Sequence, residues 1–428
     1  MNTTKKLRIL FCDHLNLARG KYLPGNQDRG GEARFCQGVY ALTYDKDLIP
    51  APGSTLMEGL PDMVARFDGA DIRPGWLDDR VVICDQYTCA GEPLPVSGRD
   101  SLKRAIGAWR ALGYHPKVGI ELEAYAFVRD DAGNWMPYQT PGACVYGTGP
   151  FTDPLGFTDV IWEQAERCGF RLEMITSEFD SPQFEFTLEY DDALKAIDDV
   201  FLFRLMAREV AFRENVLLTF MPKPIKGLSG SGVHVNFSLW DDSGNNAIGD
   251  DSSPDNLSEL GRRCVAGLMH HHRSLSALLA PTVNSYSRLQ PASLSGYWRN
   301  WGRDHRGVTT RISGEAGPHA RIEHRMADGG ANPYTMTAAI LQASLLGHHN
   351  GYPLPLAETG DCLENQDAVD GVPEDLGSAL DELAADRELV QAVGDELAGN
   401  LDAIKRDEIE KTAQMSDMQQ IDYYIHFI

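Results

Sequence analysis

A chain of 428 residues with 43% hydrophobic and 24% charged residues has the balance of a large globular protein, most easily divided into two domains. Its formal net charge of −23, with much of the acidic excess over residues 358–410, argues against nucleic acid or anionic lipid as a partner, because no basic stripe is present to neutralise phosphates. No apolar run approaches the roughly 18 residues needed to span a bilayer, so no membrane segment is expected.

The opening MNTTKKLRILFCD turns polar and acidic too soon for a secretory signal and reads as the first strand of a mature protein. Short β-rich segments at 7–12, 38–43 and 80–85, separated by Pro, Gly and Asp turns, predict a small α+β domain over 1–105 and leave 106–428 to a larger one. The pattern turns helical over 100–112, with Gly113 as its C-cap. Helices are expected over 158–169, 191–215 and 256–279, and a small-residue helix over 335–347 should pack tightly under a sheet. From Leu376 onward the chain reads as helices with acid-rich faces. Eight cysteines without a CxxC spacing argue against a zinc ribbon or redox pair and suit a reducing cytoplasm.

Chemistry concentrates in KPIKGLSGSGVHVNFS, residues 223–238. A turn containing Gly227, Gly230 and Gly232 runs into an alternating strand that puts His234, Asn236 and Ser238 on one face and Val233, Val235, Phe237 and Leu239 on the other. Alone, this is an ordinary half-buried strand. The arrangement recurs, however, at Glu121-Leu-Glu123 and at Arg321, Glu323 and Arg325, and charged groups facing an interior must be paired or hold a metal. A Pro-containing turn in SEFDSPQFEF separates Glu178 from Glu185, close enough to bring both to one ion. Five carboxylates (Glu121, Glu123, Glu178, Glu185, Glu323) with the single imidazole of His234 favour Mg²⁺ or Mn²⁺ over Zn²⁺. Arg288, Arg306, Arg311, Arg321 and Arg325 are equipment for holding a polyphosphate and neutralising a transferring phosphoryl group. An ATP-using enzyme with two or more divalent ions follows, without a Walker or kinase motif. His270, His271 and His272, consecutive on one expected helix, should face different directions and chelate poorly, and Trp298 and Trp301 read as packing residues.

These pieces resemble the type I branch of the glutamine synthetase superfamily. The resemblance runs through IELEAYAF, SEFDSPQFEF, TFMPKPIKGLSGSGVHVNFSLWD, NSYSRL, DHRGVTTRI, ARIEHRMADGGANPY and YYIHFI, in family order from about residue 7 to 428. It implies an α+β chain with an N-terminal β-grasp domain, a catalytic α/β domain on an antiparallel sheet, and a cytoplasmic dodecamer of two hexameric rings with active sites between subunits. Glu123, Glu178 and Glu185 match the ligands of one metal, and Glu121, His234 and Glu323 those of the metal beside the phosphates. Arg288, Arg325 and Gly230 match the glutamate-binding groups; Arg306, Arg311, Arg321 and Ser238 match the ATP-binding ones, with Arg306 and Glu323 catalytic. The implied reaction is phosphorylation of the glutamate side chain by ATP, followed by attack of an amine.

Departures from the family fall on the amine side. An Asp-Gly-Ser-Ser motif that helps bind ammonium is replaced by the region Ala41 to Leu48, with Asp45 the candidate substitute. The flap glutamate falls on Leu294, Ser229 replaces an asparagine that contacts glutamate, and Asn236 replaces the second His of HxH. Tyr146 matches a tyrosine of the ammonium site. With Leu294 it marks the expected amine pocket. These changes favour a ligase joining glutamate to a polyamine or alkylamine, over glutamine synthesis from ammonia and over a non-catalytic member.

Overall fold

The computed structural model describes residues 6–362 and 370–428. Seven strands and three 3₁₀ turns precede the first α-helix: β1 (Lys6–Cys12), β2 (Ala18–Pro24), β3 (Gly31–Cys36), β4 (Asp62–Phe67), β5 (Arg73–Pro74), β6 (Arg80–Ile83) and β7 (Asp85–Thr88). They form one sheet in the order β2-β1-β6-β5, with β1 and β6 parallel, and a second in the order β3-β4-β7. The apolar run Ile9–Cys12 that ends β1 is explained by burial on both faces: Ile9, with Leu7, enters a small core with Phe67 and Val82, whereas Leu10 and Cys12 enter the main core. The strand expected over 38–43 is instead a 3₁₀ turn, Gln37–Ala41. Tertiary partners replace a ladder there, since Asn400 Nδ2 donates to the Tyr40 carbonyl at 2.9 Å and Gln86 Nε2 to the Tyr40 hydroxyl at 2.7 Å.

Helix α1 (Gly98–Ala111) starts at Ser97, whose hydroxyl accepts from the Asp100 amide, and buries Leu102, Ala105, Ile106 and Trp109 in the main core. The expected division at residue 105 falls inside it. A nine-stranded sheet follows, built from β8 (Tyr114–Arg129), β9 (Trp135–Pro137), β10 (Leu172–Ser177), β11 (Gln183–Asp192), β12 (Val216–Thr219), β13 (Val233–Asp241), β14 (Trp301–Arg303), β15 (Thr310–Ile312) and β16 (Ile322–His324). Its order is β10-β11-β8-β13-β16-β15-β14, with β9 and β12 also paired to β8. All these pairings are antiparallel except that of β14 with β15.

Helices α2 (Phe157–Cys168) and α3 (Ala193–Arg213) fall close to expectation, the second starting two residues late because β11 continues through Asp192. The single helix expected over 256–279 is two, α4 (Glu259–His270) and α5 (His272–Leu279), broken at His271. A short turn, α6 (Ser285–Arg288), precedes the loop to β14. The small-residue helix is α7 (Pro333–Asn350), capped by Asn332, whose side chain accepts from the Tyr334 and Thr335 amides. It is apolar nearly all round and packs on α4 so closely that a Cβ on Gly267 would lie 2.0 Å from the Ala343 carbonyl oxygen. Four helices complete the chain: α8 (Leu376–Ala385), α9 (Arg387–Val393), α10 (Asp395–Thr412) and α11 (Asp417–Ile425). All eight cysteines are free thiols, and among the described residues no helix is long and apolar enough to cross a membrane.

Candidate active site

Antiparallel register assembles the site. Glu121 and Glu123, two residues apart on β8, share a face; Glu185 of β11 lies directly opposite Glu123, and His234 of β13 directly opposite Glu121. The row continues outward with Asn236 opposite Glu323 of β16 and Glu323 opposite Arg311 of β15. Glu178, in the turn between β10 and β11, closes the near end. Donor atoms of Glu123, Glu178 and Glu185 lie within 4.8 Å of one another, as do those of Glu121, Glu185 and His234. Glu185 is therefore common to both groups.

The expected second group is drawn together through His234. Its Nδ1 donates to Glu121 Oε2 at 2.9 Å and stands 3.8 Å from Glu323 Oε1, while Nε2 is 3.6 Å from Glu123 Oε1. Asn236 Nδ2 donates to the other Glu121 oxygen at 3.1 Å. Glu323 is in turn clasped by two arginines, Arg311 Nη1 at 3.1 Å and Arg325 Nη1 in close contact.

The electrostatics follow from this crowding. Burial opposes ionisation of Glu121, but the His234 hydrogen bond and charge, with Arg325 and Asn236, outweigh it and bring its carboxyl down to about 2. Glu185 goes the other way: burial first, then the charges of Glu121, Glu123 and Glu178 push it up to about 8. Glu178 is raised by burial and by Glu123. Burial and Arg325 hold the His234 imidazole down, yet Glu121 and Glu123 leave it raised on balance. A set of buried carboxylates in which one retains a proton near neutrality for want of positive charge fits divalent cations, and its oxygen-rich donors with one imidazole fit Mg²⁺ or Mn²⁺.

The loop over 222–232 borders the cluster. Gly232 N donates to Glu123 Oε2 at 2.7 Å, and a Cβ at Gly232 would sit 2.4 Å from Arg288 Nη2, so a side chain there would displace the guanidinium. Arg288 is buried and donates to the backbone oxygens of Met326 and Arg325 at 2.7 and 3.0 Å. Burial lowers its pKa. The loop is strapped from below by the Tyr125 hydroxyl, which donates to the Ser229 carbonyl at 2.9 Å, and by Asp180, which accepts from the Ser229 amide. On the other side a cleft of about 430 Å³ is lined by Glu121, Asn236, Ser238 and Arg321, with Lys117, Tyr190 and Trp240. Ser238 Oγ accepts from Trp240 Nε1 at 2.9 Å.

Other expected site residues stand further out. Arg321 pairs with Glu315 at 2.7 Å and Arg311 also with Asp304 at 2.8 Å, while Arg306 is exposed in the turn between β14 and β15. Tyr146 is 69% exposed, its amide bound to the Ser177 carbonyl beside Glu178. Leu294 is 50% exposed on a loop whose Gly296 lies against the backbone of Arg325 and Met326. Gln183 escaped the sequence reading, although it shares the face of Glu185 two residues on. Its Nε2 reaches the Gly230 carbonyl at 3.0 Å and Ser231 Oγ at 3.2 Å, tying β11 to the glycine loop. Asp180 and Asp304 carried no sequence signal, since their partners come from other segments.

One expectation is corrected. His272 does turn away, its Nε2 donating to the Tyr297 carbonyl at 3.0 Å, but His270 and His271 do not diverge: they and Glu388 of α9 offer donor atoms within 4.8 Å of one another. The helix break at His271, with φ −91° and ψ 11°, replaces the 100° turn per residue on which the expectation rested.

The fold and this site define an α+β protein whose carboxylate-rich sheet face lies between a glycine loop and a cleft lined by Ser238 and Arg321. Residues 95–424 match the family described as glutamine synthetase, catalytic domain, and the chain belongs to that family. It is 29% identical to a glutamine synthetase of Halobacterium salinarum over 98% of this chain and 94% of that protein. A glutamate--isopropylamine ligase of a Pseudomonas species is 34% identical over 63% of this chain and 60% of that one. Among solved structures, ligand-free GmaS superposes with a TM-score of 0.83 at 27% identity, covering 97% of this chain and 96% of the other. The protein is thus a glutamine synthetase-family ligase, of a family that uses glutamate, ATP, a nitrogen donor and divalent metals.

Proposed function

We propose that this ligase joins the γ-carboxylate of glutamate to an amine larger or less polar than ammonium, through a γ-glutamyl phosphate made from ATP. Leu294 carries the reading. Where an acid would pair with ammonium and take its proton, an apolar side chain stands on a loop whose Gly296 lies against Arg325, and Tyr146, whose amide bonds the Ser177 carbonyl, and Phe179 are exposed in the segments next to Glu178.

In this reading the adenine end of ATP enters the cleft beside Ser238, and its phosphates point toward Glu121, His234 and Glu323. Arg311 and Arg321 line the phosphate path, and exposed Arg306 has the freedom to swing onto the transferring group. Arg288 and Arg325, with the Gly230 backbone, hold the glutamate carboxylates. Divalent cations on Glu123, Glu178 and Glu185 and on Glu121, His234 and Glu323 would neutralise charge on the phosphoryl oxygens. The loop over 289–300 then shields the acyl phosphate from water. Assembly as a cytoplasmic dodecamer, with domains dividing near residue 105, belongs to the same proposal.

Glutamine synthesis from ammonia is the second reading, favoured by a relative of that name matched along 98% of this chain. That five of the six expected donors (Glu121, Glu123, Glu178, Glu185 and His234) cluster, with Glu323 3.8 Å from His234, speaks against a non-catalytic role. The readings separate when ATP-dependent phosphate release is measured with glutamate plus ammonium, methylamine, ethanolamine, putrescine or a longer alkylamine. Turnover with an organic amine in excess of that with ammonium supports the proposal; turnover with ammonium alone overturns it.

A further inference from the structure

A second cluster of metal-binding side chains lies outside the carboxylate site. His270 ends α4, His271 occupies the break before α5, and Glu388 sits in the first turn of α9; a donor atom from each lies within 4.8 Å of the other two. Their surroundings are organised. His271 is buried, and its Nδ1 donates to Asp386 Oδ2 at 2.6 Å, which fixes the tautomer and leaves the Nε2 lone pair free. Among the described residues that buried Nε2 has no hydrogen-bond partner. Asp386 is itself fixed as the N-cap of α9, accepting from the Leu389 amide at 3.1 Å. The His270 ring is stacked on Tyr352 at 3.8 Å and 2°, and the Tyr352 hydroxyl donates to Glu388.

A buried imidazole nitrogen with nothing to bond is costly unless something fills the place. Two imidazoles and one carboxylate, with outer partners orienting the ligands, are the donor set of an open tetrahedral Zn²⁺ site, and imidazole suits Zn²⁺, Ni²⁺ or Cu²⁺ far better than Mg²⁺. We propose that His270, His271 and Glu388 bind a divalent transition-metal ion, with water in the fourth position, clamping the α4–α5 junction to α9. This site is chemically distinct from the oxygen-rich cluster around Glu185, and it holds whether the nitrogen donor is an amine or ammonia.

The test uses full-length protein without a histidine tag, titrated with Zn²⁺ in millimolar Mg²⁺. Calorimetry on the unmodified protein should show, besides any zinc taken by the carboxylate cluster, one equivalent of Zn²⁺ per chain that His270→Ala and Glu388→Gln each lose or weaken on the order of 100-fold. Both side chains are exposed, so both variants should fold and keep Mg²⁺-dependent turnover. Zn²⁺ should raise the Tm of the unmodified protein and leave that of either variant unmoved. An unchanged zinc stoichiometry and affinity in both variants, or no stoichiometric zinc in the unmodified protein, overturns the proposal.

Discussion

Glu185 and Glu123 face each other directly across the β8–β11 ladder. Like charges directly opposite on a sheet are destabilising; burial first, and then the charges of Glu121, Glu123 and Glu178, push the Glu185 carboxyl up to about 8, so that it keeps its proton at neutrality. A divalent cation must displace that proton. Affinity for Mg²⁺ or Mn²⁺ should therefore rise from pH 6 to about 8, with at least about one proton released on binding at pH 7, from Glu185 and in part from the raised His234. Calorimetry in buffers of different ionisation enthalpy measures the release. Affinity independent of pH over that window, with no proton released, would show that Glu185 is not a ligand.

Glu323 stands between Arg311 and Arg325 and faces His234, so it orders two arginines as well as offering an oxygen to a cation. Glu323→Ala should lower kcat for ATP-dependent phosphate release by on the order of 100- to 1000-fold. Turnover near that of the unmodified protein would place the phosphoryl-transfer centre elsewhere.

Much of this face was legible because its signal is local. A period of two puts Glu121 with Glu123 and His234 with Asn236, and strands do carry them. What no local pattern supplied was register: that Glu185 meets both groups follows only from the alignment of β11 on β8. The β-grasp and catalytic sheets followed from the family resemblance. The errors arose where tertiary partners override local preference, at Tyr40, held in a 3₁₀ turn by Asn400 and Gln86, and at His271, where the chain breaks a helix whose apolar spacing continues across it.

Leu294 tests the amine preference. Leu294→Glu restores an acid beside Arg325's loop and should shift the ratio of kcat/KM for ammonium over an alkylamine upward by about tenfold, within the range that one altered pocket contact produces. An unchanged ratio would remove Leu294 from substrate choice.

The C-terminal helices hold a buried charge pair that has no part in the chemistry. Lys405 Nζ and Glu408 Oε2 are 2.6 Å apart, each side chain 1% exposed, and the Tyr424 hydroxyl donates to Glu408 at 2.6 Å. Glu408→Ala leaves Lys405 buried against the Tyr44 ring without a counter-charge and should cost about 3–5 kcal/mol in denaturant unfolding. A loss under 1 kcal/mol would mean that water reaches Lys405.

In the proposed reaction glutamate is activated as an acyl phosphate before an amine attacks. Glutamate carrying ¹⁸O in its γ-carboxylate, incubated with ATP, Mg²⁺ and an alkylamine, should give one ¹⁸O atom in each inorganic phosphate released together with the γ-glutamyl alkylamide. Labelled phosphate accompanied only by glutamine when ammonium is supplied, or phosphate free of ¹⁸O with every amine, would contradict it.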